Sequence, residues 1–189
     1  MFNDRYGLTQ AVIEGRKTMA MMLINIKSTS DVQVRIFAGY VQIIGRSGDV
    51  CAEKKLSYKV GEVVAVAQRY QDIFDYSNCV NPYAWEDDDK PSGWTNKMLT
   101  KAELMPHQIR ITGIKCERLY DISEADCLRE GIRYLPQIGK FYFEDMRREE
   151  GFYFDDHREA FASLIDKVSG RGTWDRNPWV VVYEFELVK

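Results

Sequence analysis

The sequence predicts an α+β fold: a small mixed β-barrel, closed or partly closed, flanked by short helices and interrupted by two long loop insertions. Three observations carry this. Short stretches of β-type residues recur along the chain, at 19–24, 32–44, 63–67, 109–116 and 179–187. The helical segments between them are short and capped, and no pattern repeats at the fixed period of a solenoid or propeller. Many short strands with a few helices at the edges favour a barrel-like α+β domain over a helical bundle or a doubly wound sheet.

Taken in order, Leu8, Ala11 and Val12 fall at i, i+3 and i+4, the face of a short helix, and Gly15 stands where a left-handed C-cap is expected. Ala20 to Ile24 then reads as core strand. Lys17, Met19 and Met21 are expected on one face of that strand, and Thr18, Ala20 and Met22 on the other. Val32, Val34 and Ile36 alternate with polar residues, and Gly39 followed by Val41, Ile43 and Ile44 marks a hairpin partner. Gly45 to Asp49 reads as a turn. Val63 to Ala67 is nearly continuous in apolar residues, as in a central strand buried on both faces. Residues 70–101 form the first predicted insertion, a long loop with aromatic residues and the acidic run Glu86 to Asp89. Ile109 to Cys116 returns to strand. Ser123 with Asp126 resembles a capping box for a short helix ending at Gly131. The stretch 133–155 mixes Phe141, Tyr142 and Phe143 with charges and is expected as a second irregular insertion. Asp156 and Glu159 cap the clearest helix, with Ala160, Phe161, Leu164, Ile165 and Val168 as its apolar stripe. Trp179 to Leu187 closes the sheet, and Trp174 and Trp179 are expected in the core.

Composition bounds the function. A chain of 189 residues is long enough for one sizeable core, read here as a single domain over 1–189. A net charge of -3 gives no global attraction to polyanions, so nucleic-acid binding would need a local basic patch. The four cysteines form no C-x-x-C pair and only His107 and His157 accompany them, which argues against a zinc site or any other metal centre. No run reaches the length of a bilayer span, and no leader-like segment opens the chain. The expectation is a reduced, cytoplasmic protein that needs no cofactor and no membrane.

The candidate site is the corner Gly15-Arg16-Lys17-Thr18. A cation at a helix-to-strand corner is placed to meet an anionic or carbonyl-bearing ligand, although on these residues alone an ordinary solvated lysine is the stronger reading of Lys17. Arg16, Lys17, Thr18, Arg110 and Trp94 are the candidate ligand-binding residues. Trp94, with Phe74, Tyr83 and Trp85, could stack a base or simply anchor the loop. Lys97, Lys101, Arg110, Lys115 and Arg118 could form a phosphate-contacting rim, but Glu103 and Glu117 interleave with them, as on a mixed solvated face.

These pieces, in this order, resemble the ASCH domains of the PUA-like superfamily, in particular those of phages and mobile elements. The resemblance runs through Leu8 to Thr18, Tyr58 to Val63, Met105-Pro106 with Arg110-Ile111, Glu117 to Ile132, and Gly172 to Val180. It implies a cleft beside the helix-strand corner that takes RNA or a modified nucleoside. One bacterial branch of the family is an amidohydrolase acting on acetylated cytidine with a Lys, a Thr and a Glu. By this resemblance the lysine falls on Lys17 and the glutamate on Glu130, giving the catalytic candidates Lys17, Glu130 and Thr18. The threonine position itself is Ala20, which can supply neither a nucleophile nor a proton. Thr18 shares its strand face with Ala20 but stands about 6–7 Å away. Met21 and Met22 stand where phage-type members carry two arginines, which removes the planar donors best suited to phosphate. A nucleoside- or RNA-binding module is therefore expected ahead of a hydrolase, and a protein-interaction module is the third class.

Overall fold

The computed structural model describes residues 2–24, 32–73, 90–147 and 151–188. Its centre is a four-stranded sheet in the order β1-β10-β6-β5, built from Met19–Leu23, Trp179–Leu187, Gln108–Arg118 and Val63–Ala65. This sheet curls as a half-barrel. A second sheet joins β2 (Gln33–Phe37), β3 (Tyr40–Ile44) and β4 (Val50–Lys55). A third joins β7 (Arg133–Leu135), β8 (Lys140–Phe143) and β9 (Phe152–Phe154). Every strand pair among the described residues is antiparallel. The helices are α1 (Leu8–Ile13), α2 (Tyr70–Ile73), α3 (Glu124–Arg129) and α4 (His157–Ser169).

β10 explains the layering. Its Val180 and Val182 point into one core, with Leu8, Met19, Phe143, Phe161 and Leu164. Its Val181, Tyr183 and Phe185 point into another, with Val12, Val41, Ile43, Val66 and Ile111. Side chains alternate across a strand, so the main sheet carries a core on each face. The first core lies under α4 and the third sheet, the second under the hairpin sheet. The apolar run Val180 to Tyr183 is thus the strand buried on both faces.

Two expectations are corrected. Among the described residues Val63 to Ala65 is an edge strand paired with β6 alone, and Val63 is 47% exposed. An apolar run marks burial only where neighbours exist on both sides, and β5 has one. The stretch 133–155 holds a three-stranded sheet rather than an irregular insertion. Its strands are three or four residues long, too short for the alternation to stand out, yet Phe141 and Phe143 do face the first core at period two. β4 has no signal in the sequence because all six of its residues are exposed. Of the first expected insertion, residues 74–89 lie outside the described residues, together with Phe74, Tyr83 and Trp85.

Other elements form as their residues dictate. Ser123 accepts from the Asp126 amide at the start of α3, and Asp156 accepts from the amides of Arg158 and Glu159 at the start of α4. Ala160, Phe161, Leu164 and Ile165 are buried, while Val168 at the end of the stripe is 40% exposed. Trp174 and Trp179 are half-buried against the first and second cores.

Candidate functional site

The corner is knitted from backbone bonds. α1 stops at Glu14, Gly15 takes φ 71°, and the amides of Arg16 and Lys17 both donate to the Ala11 carbonyl, 2.9 Å each. The left-handed residue turns the chain so that Lys17 enters the protein interior. Thr18 then donates its amide to the Arg129 carbonyl at 3.0 Å and accepts from the Phe185 amide at 2.9 Å. These bonds tie the corner to the end of α3 and to the centre of the main sheet.

Lys17 is not a solvated lysine: it is 3% exposed. Its Nζ donates to the Glu130 carbonyl oxygen at 2.8 Å and to Glu130 Oε2 at 2.5 Å. Glu130 is 8% exposed and caps the end of α3. Gly131, φ 113°, makes the approach feasible, since a Cβ there would stand 2.9 Å from Leu8 Cδ2 and 3.9 Å from Lys17 Cδ. The sequence marks this glycine only as a helix terminator, yet its missing Cβ also makes room for the Leu8 side chain. The Phe2 ring lies 5.9 Å from Nζ, a cation–π distance.

Two valences of this pair remain. Glu130 Oε1 is buried and has no hydrogen-bond partner among the described residues. An ammonium carries three hydrogens, and the two bonds to Glu130 use two of them. Beside the pair is a cavity of about 100 Å3, lined on one side by Lys17, Glu130, Ala20 and Met21 and closed by Phe2 and by Phe161, Leu164 and Ile165 of α4. An unpaired carboxylate oxygen away from water costs free energy, so it calls for a donor in that space.

The three positions implied by the resemblance, Lys17, Glu130 and Ala20, thus share one cavity. Thr18 does not line it: its hydroxyl accepts from Arg129 Nε at 3.2 Å, and Arg129 also binds Asp126 and Glu184. Glu184 crosses over Gly113 to reach Arg129, and a Cβ on that glycine would stand 2.6 Å from Glu184 Oε2. Lys115 completes this support, 2.8 Å from Glu117 and 3.7 Å from Asp126. Burial works against the Lys115 ammonium, but Glu117 and the fields of Asp126 and Glu184 outweigh it and raise its pKa.

The remaining candidates stand elsewhere. Arg16 pairs with Glu14 at 2.6 Å. Arg110 pairs across the β6–β10 ladder with Glu186 at 3.0 Å, both half-exposed. Trp94 is half-buried in the turn after Pro91. None of the three lines the cavity. The basic rim is dispersed: Lys97 bonds Asp4 at 2.6 Å, the Phe2 carbonyl at 2.5 Å and Thr9 at 3.0 Å, while Arg118 lies over the Trp179 ring at 4.8 Å. The wall contributed by α4 and the Phe2 ring have no separate signal in the sequence. The α4 stripe carries a core signal, which does not distinguish a packed face from a pocket wall.

Thiol chemistry is disfavoured at the two buried cysteines described. Burial pushes the Cys127 thiol up to about 12 and the Cys116 thiol up to about 11, so neither supplies a thiolate at neutral pH. Among the described residues no group of three or more His, Cys, Asp or Glu could hold a metal ion, and no helix is long and apolar enough to cross a membrane. No protein-family model, curated protein or solved structure matches the chain.

Proposed function

We propose that this protein is an ASCH-type, PUA-like binding module that holds one modified nucleobase, free or within RNA, in the Lys17–Glu130 cavity without turning it over. The observation that carries this reading is the buried, unpartnered Glu130 Oε1 beside the one Lys17 hydrogen not used by Glu130. Together they form an acceptor next to a donor. A ligand edge with an N–H beside an acceptor, the amino group and N3 of cytosine or the amide N–H and acyl carbonyl of an N-acylated derivative, satisfies both, and a carboxylate accepting from the cytosine amino group is a recurrent pairing. The cavity, about 100 Å3, is below the usual range of about 300–1,000 Å3 for whole small-molecule sites. It suits a single ring between Phe2 and Phe161, with the sugar outside.

Hydrolysis is the second reading, favoured by the convergence of Lys17, Glu130 and Ala20 on one cavity. What opposes it is the Ala20 methyl and the engagement of the Thr18 hydroxyl by Arg129. Calorimetric titration with cytidine and N4-acetylcytidine, run beside a hydrolysis assay, separates the readings. Binding without turnover is expected for the protein, loss of binding for the pair variant Lys17→Met with Glu130→Leu, and turnover in Ala20→Thr only if the scaffold is a hydrolase site without its nucleophile. Failure of both nucleosides to bind the protein and its Ala20→Thr variant overturns the pocket assignment.

A further inference from the structure

A second surface with nucleic-acid chemistry lies on the other core, away from the Lys17 cavity. β2 and β3 are joined by Ala38 and Gly39, both at positive φ, 50° and 82°. That is the two-residue turn whose twist matches paired strands, and it sets Phe37 directly opposite Tyr40. Inward residues of this sheet, Val41 and Ile43, are buried in the second core. The outward face carries two rows fixed by register: Arg35, Gln42 and Glu53, then Phe37, Tyr40 and Lys55. Phe37 is 60% exposed and Tyr40 41%, so neither ring is held by the core.

The first row organises the second. Arg35 Nε donates to Gln42 Oε1 at 2.8 Å, and Gln42 Nε2 donates to Glu53 Oε1 at 2.5 Å. Glu53 is thereby engaged within the sheet, and the Arg35 guanidinium lies 5.6 Å over the Phe37 ring. The result is a pair of exposed rings with the Arg35 guanidinium over Phe37 and Lys55 across the ladder from Tyr40. On this face Arg35 and Lys55 stand against Glu53, an excess of positive charge on a chain of net charge -3. Aromatic rings give bases a sequence-tolerant stacking surface, and interleaved cations meet the phosphates.

We propose that this face of the β2–β4 sheet is a stacking platform for single-stranded nucleic acid. Phe37 and Tyr40 take successive bases, and Arg35 and Lys55 contact the flanking phosphates. The platform is separate from the Lys17 cavity and stands without it.

The test is fluorescence anisotropy with a labelled short oligouridine on the full chain. The expected result is binding that weakens with salt, an affinity about tenfold lower in Phe37→Ala, and near-native affinity in Phe37→Trp, which keeps a stacking face. Lys55→Ala makes the slope of log affinity against log salt shallower by about 0.7, the share of one phosphate contact on a single strand. Val60→Ala, an exposed apolar residue outside the face, leaves binding unchanged. No oligonucleotide binding, or equal affinity in Phe37→Ala and the parent chain, overturns the proposal. So does sedimentation showing a dimer that Phe37→Ala dissociates, because a second copy then covers the face. The pair variant Lys17→Met with Glu130→Leu separates the two sites: it removes the polar pair of the nucleoside cavity on the first core and leaves the platform, on the second, intact, so free nucleoside and oligouridine report on different readings.

Discussion

Two carboxylates tie the amino-terminal segment to the middle of the chain, and they are finished differently. Asp145 has no exposed side-chain surface; it takes Arg5 Nε and Nη2 at 2.9 to 3.2 Å and the Arg147 amide at 3.1 Å, so both oxygens are engaged. Glu130 is nearly as buried and lines the cavity, yet one of its oxygens is held by Lys17 and the other is buried with no partner among the described residues. A carboxylate with every lone-pair direction used is a structural bolt. One left half-used costs stability that a ligand donor would return under the proposed function.

The contrast predicts opposite behaviour under substitution. Lys17→Met leaves the Glu130 charge buried and alone, and the expected loss is about 3–5 kcal/mol by denaturant unfolding. The pair variant Lys17→Met with Glu130→Leu recovers most of that stability, since apolar isosteres replace buried pairs at little cost, but binds no nucleoside. If the pair variant keeps nucleoside binding, the comparison fails. At the bolt, Asp145→Asn weakens charge-assisted bonds to a partly exposed arginine, so a smaller loss of about 1–3 kcal/mol is expected, with nucleoside affinity unchanged. A drop in affinity there would place Asp145 in the site.

A third carboxylate sharpens the rule at its smallest scale. Asp166, on α4, accepts from the Gly172 and Trp174 amides, 2.8 Å each, and closes the turn after the helix. Burial would raise its pKa, but the amides of Trp174, Gly172 and Thr173 together outweigh it, and the value is lowered from 3.8. A folded-state value below the unfolded one means stability present above about pH 3.8 and lost as pH falls through the folded value. Asp166→Asn should therefore lower Tm at neutral pH, with the gap to the parent chain narrowing under acid. A gap that does not change with pH would show that the carboxylate charge is not what holds the turn.

The sequence discloses these features unevenly. Helix ends were legible because caps are local: Ser123, Asp156 and the glycines at 15 and 131 act on neighbours a few residues away. The hairpin at Gly39 was legible for the same reason. Strand rank in the sheet was not, since Val63 to Ala67 and Val180 to Tyr183 look alike until their partners are known. The short aromatic strands β7 to β9 and the exposed β4 fell below the length or hydrophobicity at which period two is visible. At the corner, the resemblance implied Lys17 and Glu130 in one cleft, and alternation put Thr18 on the strand face of Ala20, two residues away. The structure separates them because Arg129, 111 residues on, captures the Thr18 hydroxyl. That long-range capture has no local trace.

The position of β10 also governs how the chain can assemble. β10 pairs with β1 on one side and β6 on the other, and both precede it in the chain. During synthesis neither the Met19–Leu23 strand nor the Val180-facing side of β6 has its partner until residues 179–187 emerge. Nearly all main-sheet contacts are thus made at long sequence separation, which slows folding and leaves two open strand edges on the nascent chain. Truncation ahead of Trp179 would remove both cores together, so expression of shortened chains should yield aggregation rather than a smaller folded unit.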